Sequence, residues 1–194
     1  MRHRLFVAIN LPSETRLVIE KSTEDLRGKL NLTSVGARFV KPDNWHVTLS
    51  FLGYQDEPRL KEISEAVISA AGRFVDPEIN FRDIAYGPLG EKKVRMVWAV
   101  LSSETSKKLS EIKSDLEGEL IKAGIHFGLE DRPFAGHITL ARFRNKTSLN
   151  DLPVISRDTN LSFVAKSLDL MESELKRSGA EYVILQKCKF SAVE

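Results

Sequence analysis

The 194-residue chain is poor in several things. It has a single cysteine, Cys188, which rules out an intramolecular disulfide framework and a cysteine-based zinc ligand set and fits a reducing, cytoplasmic setting. No stretch of uninterrupted apolar residues reaches the length of a membrane span. The opening MRHRLFVAINLP has the basic start of a secretory signal, but its apolar part is short, holds Asn10 and offers no small-residue cleavage site, so it reads as a first β-strand. Charge of one sign is also scarce: the formal net charge of +2 does not by itself announce a polyanion partner. Glycine-rich phosphate loops, acidic calcium loops and G-x-S-x-G are missing, which removes P-loop, nicotinamide, calcium and serine-hydrolase readings. Histidine is rare as well. There are four, and neither H-x-x-x-H nor H-x-E occurs, so no metal site is expected and the reading is of a cofactor-free protein.

What the chain does have is two kinds of periodicity. Residues 13–30, 58–73 and 103–124 read as helices; the third carries Leu109, Ile112, Leu116 and Leu120 in one stripe before Gly124. Between them lie β-rich runs: LFVAINL, WHVTLSFLG, INFRDIAYGPL, VRMVWAVL, HITLARF, LSFVAKSLDLMES and EYVILQKCKF. GPLGEKK reads as a hairpin connection, and 144–160 as loop or one short helix. The class is α+β, in a single domain spanning 1–194.

The run also repeats. HVTL at 46–49 recurs as HITL at 137–140, an offset of 91 residues, and the same offset lays Lys41-Pro42 on Arg132-Pro133 and Val7-Ala8-Ile9 on Trp98-Ala99-Val100 without gaps. Two pseudo-repeats, about 4–53 and 95–144, each read as strand, helix and second strand. Within a strand, residues two apart share a face, so His46 lies beside Thr48 and His137 beside Thr139, while Val47, Leu49, Ile138 and Leu140 face a core. If the halves pack about a pseudo-twofold axis, two imidazoles and two hydroxyls face one cleft. That set suits in-line displacement at phosphorus: one histidine as base, one as acid, and threonine hydroxyls for the phosphate oxygens. From spacing alone the acid and base are interchangeable.

RLFVAINLP, HVTLSFLG and RPFAGHITLARF together resemble the two-histidine (2H) phosphoesterase superfamily, specifically its LigT-like RNA 2',3'-cyclic phosphodiesterases. One departure is Gly136, where many members carry proline before the second histidine. The resemblance implies a bilobal fold, each lobe an antiparallel sheet flanked by helices around a central cleft. It implies opening of 2',3'-cyclic phosphate at RNA ends, or in nucleotides, to a 2'-phosphate without metal, and 2'-5' ligation when the chemistry runs in reverse. His46 is then the proton donor, His137 the acceptor, and Thr48 and Thr139 hold the phosphate. Lys41 and Arg132 precede the motifs and are candidates for drawing in RNA phosphates; Phe134 is a candidate for stacking on the terminal base, with a core position as its alternative. Arg142 belongs to the family's motif as a phosphate contact, yet strict alternation places it on the face opposite His137; a bulge or strand end at Ala141 would reconcile the two. The expected protein is a monomer acting on RNA ends. The alternatives are a non-catalytic RNA or nucleotide binder, and a phosphodiesterase of 2'-5' oligonucleotides or small cyclic nucleotides.

Overall fold

The computed structural model of the chain describes residues 1–155, 161–176 and 179–191. Among the described residues nine strands form one curled antiparallel sheet: β1 (Arg2–Asn10), β2 (Ala37–Phe39), β3 (His46–Asp56), β4 (Glu78–Gly87), β5 (Lys93–Leu101), β6 (His137–Ser148), β7 (Ser162–Val164), β8 (Ser167–Lys176) and β9 (Gly179–Lys189). Their spatial order is β7-β4-β5-β6-β3-β1-β8-β9, with β2 added to β6. Three helices cover it: α1 (Ser13–Asn31), α2 (Leu60–Ala71) and α3 (Ser103–Lys122). None of them is long and apolar enough to cross a membrane.

Helix α3 illustrates why these segments fold as they do. Ser102 caps it by accepting the Thr105 N–H on its hydroxyl. The stripe Leu109, Ile112, Leu116 and Leu120 is then wholly buried, each side chain contributing about 1.5–3 kcal/mol of apolar burial. The other two helices start later than or without the expected caps: Pro12, not Ser13, occupies the N-cap of α1, and Asp56 precedes a 3-10 turn at Glu57–Arg59 rather than α2 itself.

Three strand expectations change. LSFVAKSLDLMES is two strands, because Ala165 and Lys166 separate β7, which pairs with β4, from β8, which pairs with β1 and β9. The span 144–160 continues β6 to Ser148 and adds a 3-10 turn at Leu149–Asp151; residues 156–160 lie outside the described residues. Strand β2, too short to leave a periodic signature, pairs with β6 from Ala37↔Phe143 to Phe39↔Ala141.

The two β-α-β units, β1-α1-β3 and β5-α3-β6, meet through a single residue pair, Val47↔Ile138. Beyond that pair β6 takes β2 as its neighbour instead, with the Val40 N–H donating to the Leu140 carbonyl at 2.8 Å. The pairing registers also revise the gapless repeat. Ala8 lies opposite Thr48, whereas Trp98, not Ala99, lies opposite Thr139. Ala8, Ile9 and Asn10 therefore correspond to Trp98, Ala99 and Val100, one residue out of step with the motif strands.

Candidate active site

Both H-x-T motifs open their strands at this seam. The Val47↔Ile138 register sets His46 opposite Thr139 and Thr48 opposite His137 on one face, while Val47, Leu49, Ile138 and Leu140 are buried on the other.

Each histidine is held by the same device. The His46 Nδ1–H donates to the Asn44 carbonyl at 2.8 Å, and the His137 Nδ1–H to the Ala135 carbonyl at 2.7 Å. A carbonyl only accepts, so each contact fixes the proton on Nδ1 and leaves Nε2 as the nitrogen free to exchange one. The rings are also packed. His46 sits 4.9 Å from the Phe6 ring and edge-on to Tyr182 at 5.0 Å. His137 stacks on Trp98 at 3.9 Å. Trp98 is itself backed by Gly87, where a Cβ would come within 2.5 Å of the indole, so no other residue fits there.

Burial is the main influence on both imidazoles, since it disfavours the charged form. It pushes His46 down to about 4; the hydrogen bond to Asn44 opposes this, and the positive charges of Arg142 and a protonated His137 add to it. His137 is lowered by burial and by Arg142, against the upward pull of its Ala135 bond and of Glu130. At neutral pH both rings are uncharged in the free protein.

That Arg142 acts on both histidines follows from a bulge. Val97 lies opposite Ala141 but Trp98 lies opposite Thr139, so Leu140 is an extra residue in β6. Leu140 and Ala141 are both buried, alternation resets, and Arg142 emerges exposed on the face of His137 and Thr139. Its Nη1 reaches the Met96 sulfur at 3.5 Å. Strict alternation, which places Arg142 on the opposite face, is therefore overturned at this point. β3 carries the matching bulge, with Val7 opposite Ser50 and Ala8 opposite Thr48, and it brings Phe51 out on the His46 face.

Of the remaining candidates, Arg132 and Phe134 share a cleft with Glu130, whose charge reaches His137. That cleft, of about 300 Å³, lies against α3 and is also bordered by Lys113 and Glu117, and Phe134 packs on the main core. Lys41 is exposed and stands at the N-cap position of the 3-10 turn Pro42–Asn44, without a side-chain capping bond; the last carbonyl of that turn holds His46. Two groups beside the site escaped the sequence reading. Asn10, directly opposite His46, donates from Nδ2 to Asp169 Oδ2 at 2.7 Å. Asp169 is 1% exposed, and its Oδ1 has no partner among the described residues. A lone acid between Leu168 and Leu170 in an apolar run was the available signal. Cys188 is buried, and burial, with the Asp169 carboxylate second, pushes its thiol up to about 11, which leaves it inert as a nucleophile. Among the described residues no three His, Cys, Asp or Glu side chains gather as a metal-ligand set.

Gly136 is explained by packing. A Cβ there would lie 2.8 Å from Leu101 Cδ1, and its N–H donates to the Ser106 hydroxyl at 3.2 Å. Glycine at this position lets the approach to His137 lie flat against the start of α3.

An α+β fold whose antiparallel sheet presents two histidines, two threonines and an arginine on one face belongs to the class of two-histidine phosphoesterases. The comparisons narrow this. Residues 18–98 match the family model described as LigT like Phosphoesterase. An RNA 2',3'-cyclic phosphodiesterase of Aeropyrum pernix is 31% identical over 168 residues, covering 84% of this chain and 92% of the relative. One from Thermus thermophilus is 30% identical over 186 residues, covering 95% and 88%. The crystal structure of TT0787 of Thermus thermophilus superposes with a TM-score of 0.77 at 28% identity, covering 96% and 97%. The chain belongs to the LigT-like phosphoesterase family and is a phosphodiesterase.

Proposed function

We propose that the chain opens 2',3'-cyclic phosphates at RNA ends to 2'-phosphates by acid–base catalysis between His46 and His137, with no metal. The observation that carries this reading is the pair of Nδ1–H bonds to backbone carbonyls, which leaves two Nε2 atoms at one seam as proton carriers. The curated relatives bear the name of the same activity.

In the proposed reaction the base takes a proton from water as the water oxygen bonds to phosphorus. The P–O3' bond breaks, and the acid protonates O3', leaving a 3'-hydroxyl and a 2'-phosphate. Arg142 balances charge on the non-bridging oxygens, and the hydroxyls of Thr48 and Thr139 hydrogen-bond to them. With a 5'-hydroxyl in place of water, the same base deprotonates it and the same acid protonates the departing O3', which would form a 2'-5' linkage. Every group named comes from one chain, so a monomer suffices.

The family's assignment makes His46 the acid, which requires its proton affinity to rise on binding. A rise from about 4 to near neutrality is about three pKa units, or about 4 kcal/mol. One phosphate charge ~4 Å away supplies about that much at an effective dielectric of ~20. The substrate therefore loads its own acid.

The test is an oligoribonucleotide ending in 2',3'-cyclic phosphate, incubated with the protein in EDTA, with the position of the product phosphate identified. The expected result is a 2'-phosphate, lost in both His46→Ala and His137→Ala. Turnover that EDTA abolishes, or that survives both substitutions, would overturn the reading.

A further inference from the structure

The three-residue strand β2 lies on the free edge of β6 just where β6 parts from β3. Its register sets Arg38 directly opposite Arg142. Residues opposite one another in an antiparallel pair project from the same face with Cβ atoms about 4.5–5.5 Å apart, and like charges so placed repel. Both side chains are exposed, and neither makes an ion pair among the described residues. Phe39, the next residue of β2, turns the other way, packing on the core beneath the Arg27 guanidinium of α1. Arg38 is thus committed to the face that holds the histidines. Arg144 follows two residues after Arg142 on that face, with Phe143 buried between them. The stem of Arg144 lies over Gly36, whose missing Cβ would sit 3.5 Å from it.

Three guanidinium groups on neighbouring positions of β2 and β6, none of them in an ion pair among the described residues, make a repulsive arrangement that an anionic chain relieves. Arg142 is close enough to both histidines to depress them, so it is spoken for by the reacting phosphate. Arg38 is one strand further out. On an RNA end closed as a 2',3'-cyclic phosphate, the next phosphate outward is the phosphodiester on the 5' side of the terminal nucleotide.

We propose that Arg38, with Arg144 beyond it, forms a subsite for that 5' phosphodiester, so that the enzyme works on polynucleotide ends in preference to free nucleoside cyclic phosphates. This rests on the functional reading above and adds a substrate length and polarity to it.

The test compares kcat/KM for uridine 2',3'-cyclic phosphate and for the dinucleotide UpU ending in the same cyclic phosphate, in wild type, Arg38→Gln and Arg38→Lys, over a salt series. Wild type is expected to prefer the dinucleotide by about tenfold, the value of one charge-assisted phosphate contact. Arg38→Gln should bring the two substrates to within about twofold of each other and flatten the dinucleotide's log–log salt dependence by about 0.7, one phosphate's share for a single strand. Arg38→Lys should keep the salt slope. An equal loss on both substrates, or no dinucleotide preference in wild type, would overturn the subsite alone. Absence of turnover on both substrates in wild type would overturn the functional reading and this inference with it.

Discussion

The two halves of the sheet hold their histidines alike and surround them differently. Each imidazole donates Nδ1–H to the carbonyl two residues upstream, and each motif strand bulges just after its threonine-leucine. At the position each bulge exposes, the first half presents Phe51 and the second Arg142. Opposite the histidine, the first half has Asn10 bound to a buried carboxylate, and the second has the apolar Val100. The positioning of the imidazoles is therefore symmetric while the charge around them is not. The two halves offer equivalent imidazoles, but at the bulge positions an arginine stands on one side alone, Arg142, with Arg38 opposite it on β2.

The largest effect belongs to what the halves share. His46→Ala and His137→Ala should each lower kcat for cyclic-phosphate opening by about 10³-fold, within the range for loss of a general acid or base. Because the two act in one step, the double variant should be far less impaired than the product of the singles, as single-turnover kinetics would reveal. A full multiplicative loss would mean that the histidines do separate jobs.

Next comes the asymmetry. Arg142→Gln should cost about 10²-fold in kcat, as loss of one charge-stabilising donor does, and it should also move the pH profile. Both imidazoles lie below the ordinary 6.5, lowered by burial first and by Arg142 among the lesser causes. A reaction needing one neutral and one protonated ring then has its kcat/KM optimum on the acid side of 6.5 and falls above it. Removing Arg142 lifts both titrations, so the optimum should move to higher pH. Adding Phe51→Arg to Arg142→Gln places the charge at the equivalent position of the other half. Partial recovery would establish the halves as interchangeable, whereas none would show that the arginine must come from β6.

These placements mark what the chain's pattern makes legible. The His-Thr faces follow from strand alternation, and α3 from its leucine stripe, because each depends only on local period. Arg142 and Phe51 do not, because a bulge is set by how two strands pair and leaves no glycine or proline behind at Leu140 or Leu49. The same holds for β2 and for Asp169, whose importance comes from neighbours distant in sequence. The one-residue mismatch between β1 and β5 is likewise invisible until their partners are known. Arg132 and Phe134 border a cleft against α3 together with Glu130, whose charge reaches His137, a placement that depends on how the segment before β6 packs and has no local period.

Stability should record the histidine environment with a definite sign. His46 titrates at about 4 when folded and near 6.5 when unfolded. Between those values the unfolded chain binds the extra proton, so stability is fully present above pH 6.5 and declines as pH falls towards 4. The term reaches about 3 kcal/mol at its acid limit. His46→Gln should remove it, and denaturant titrations from pH 7 to 4 should give a flatter pH dependence for the variant. Identical slopes would place His46 in a more solvated environment than its packing against Phe6 and Tyr182 implies.

The smallest expected effect concerns the polar pair that distinguishes the first half. Asp169 is a carboxylate at 1% exposure whose only side-chain donor among the described residues is Asn10. Asn10→Ala leaves that charge buried and unpaired, at a cost of about 2 kcal/mol, the usual penalty for orphaning a buried acceptor. The second half manages without the pair, since Val100 fills the place of Asn10. Removing both polar groups should therefore be milder than removing one: Asn10→Val combined with Asp169→Leu should recover most of the stability lost in Asn10→Ala, as apolar replacement of both partners does elsewhere. If stability returns and kcat does not, the pair serves the reaction at His46 rather than the fold. If both return, the asymmetry that matters to catalysis is confined to Arg142.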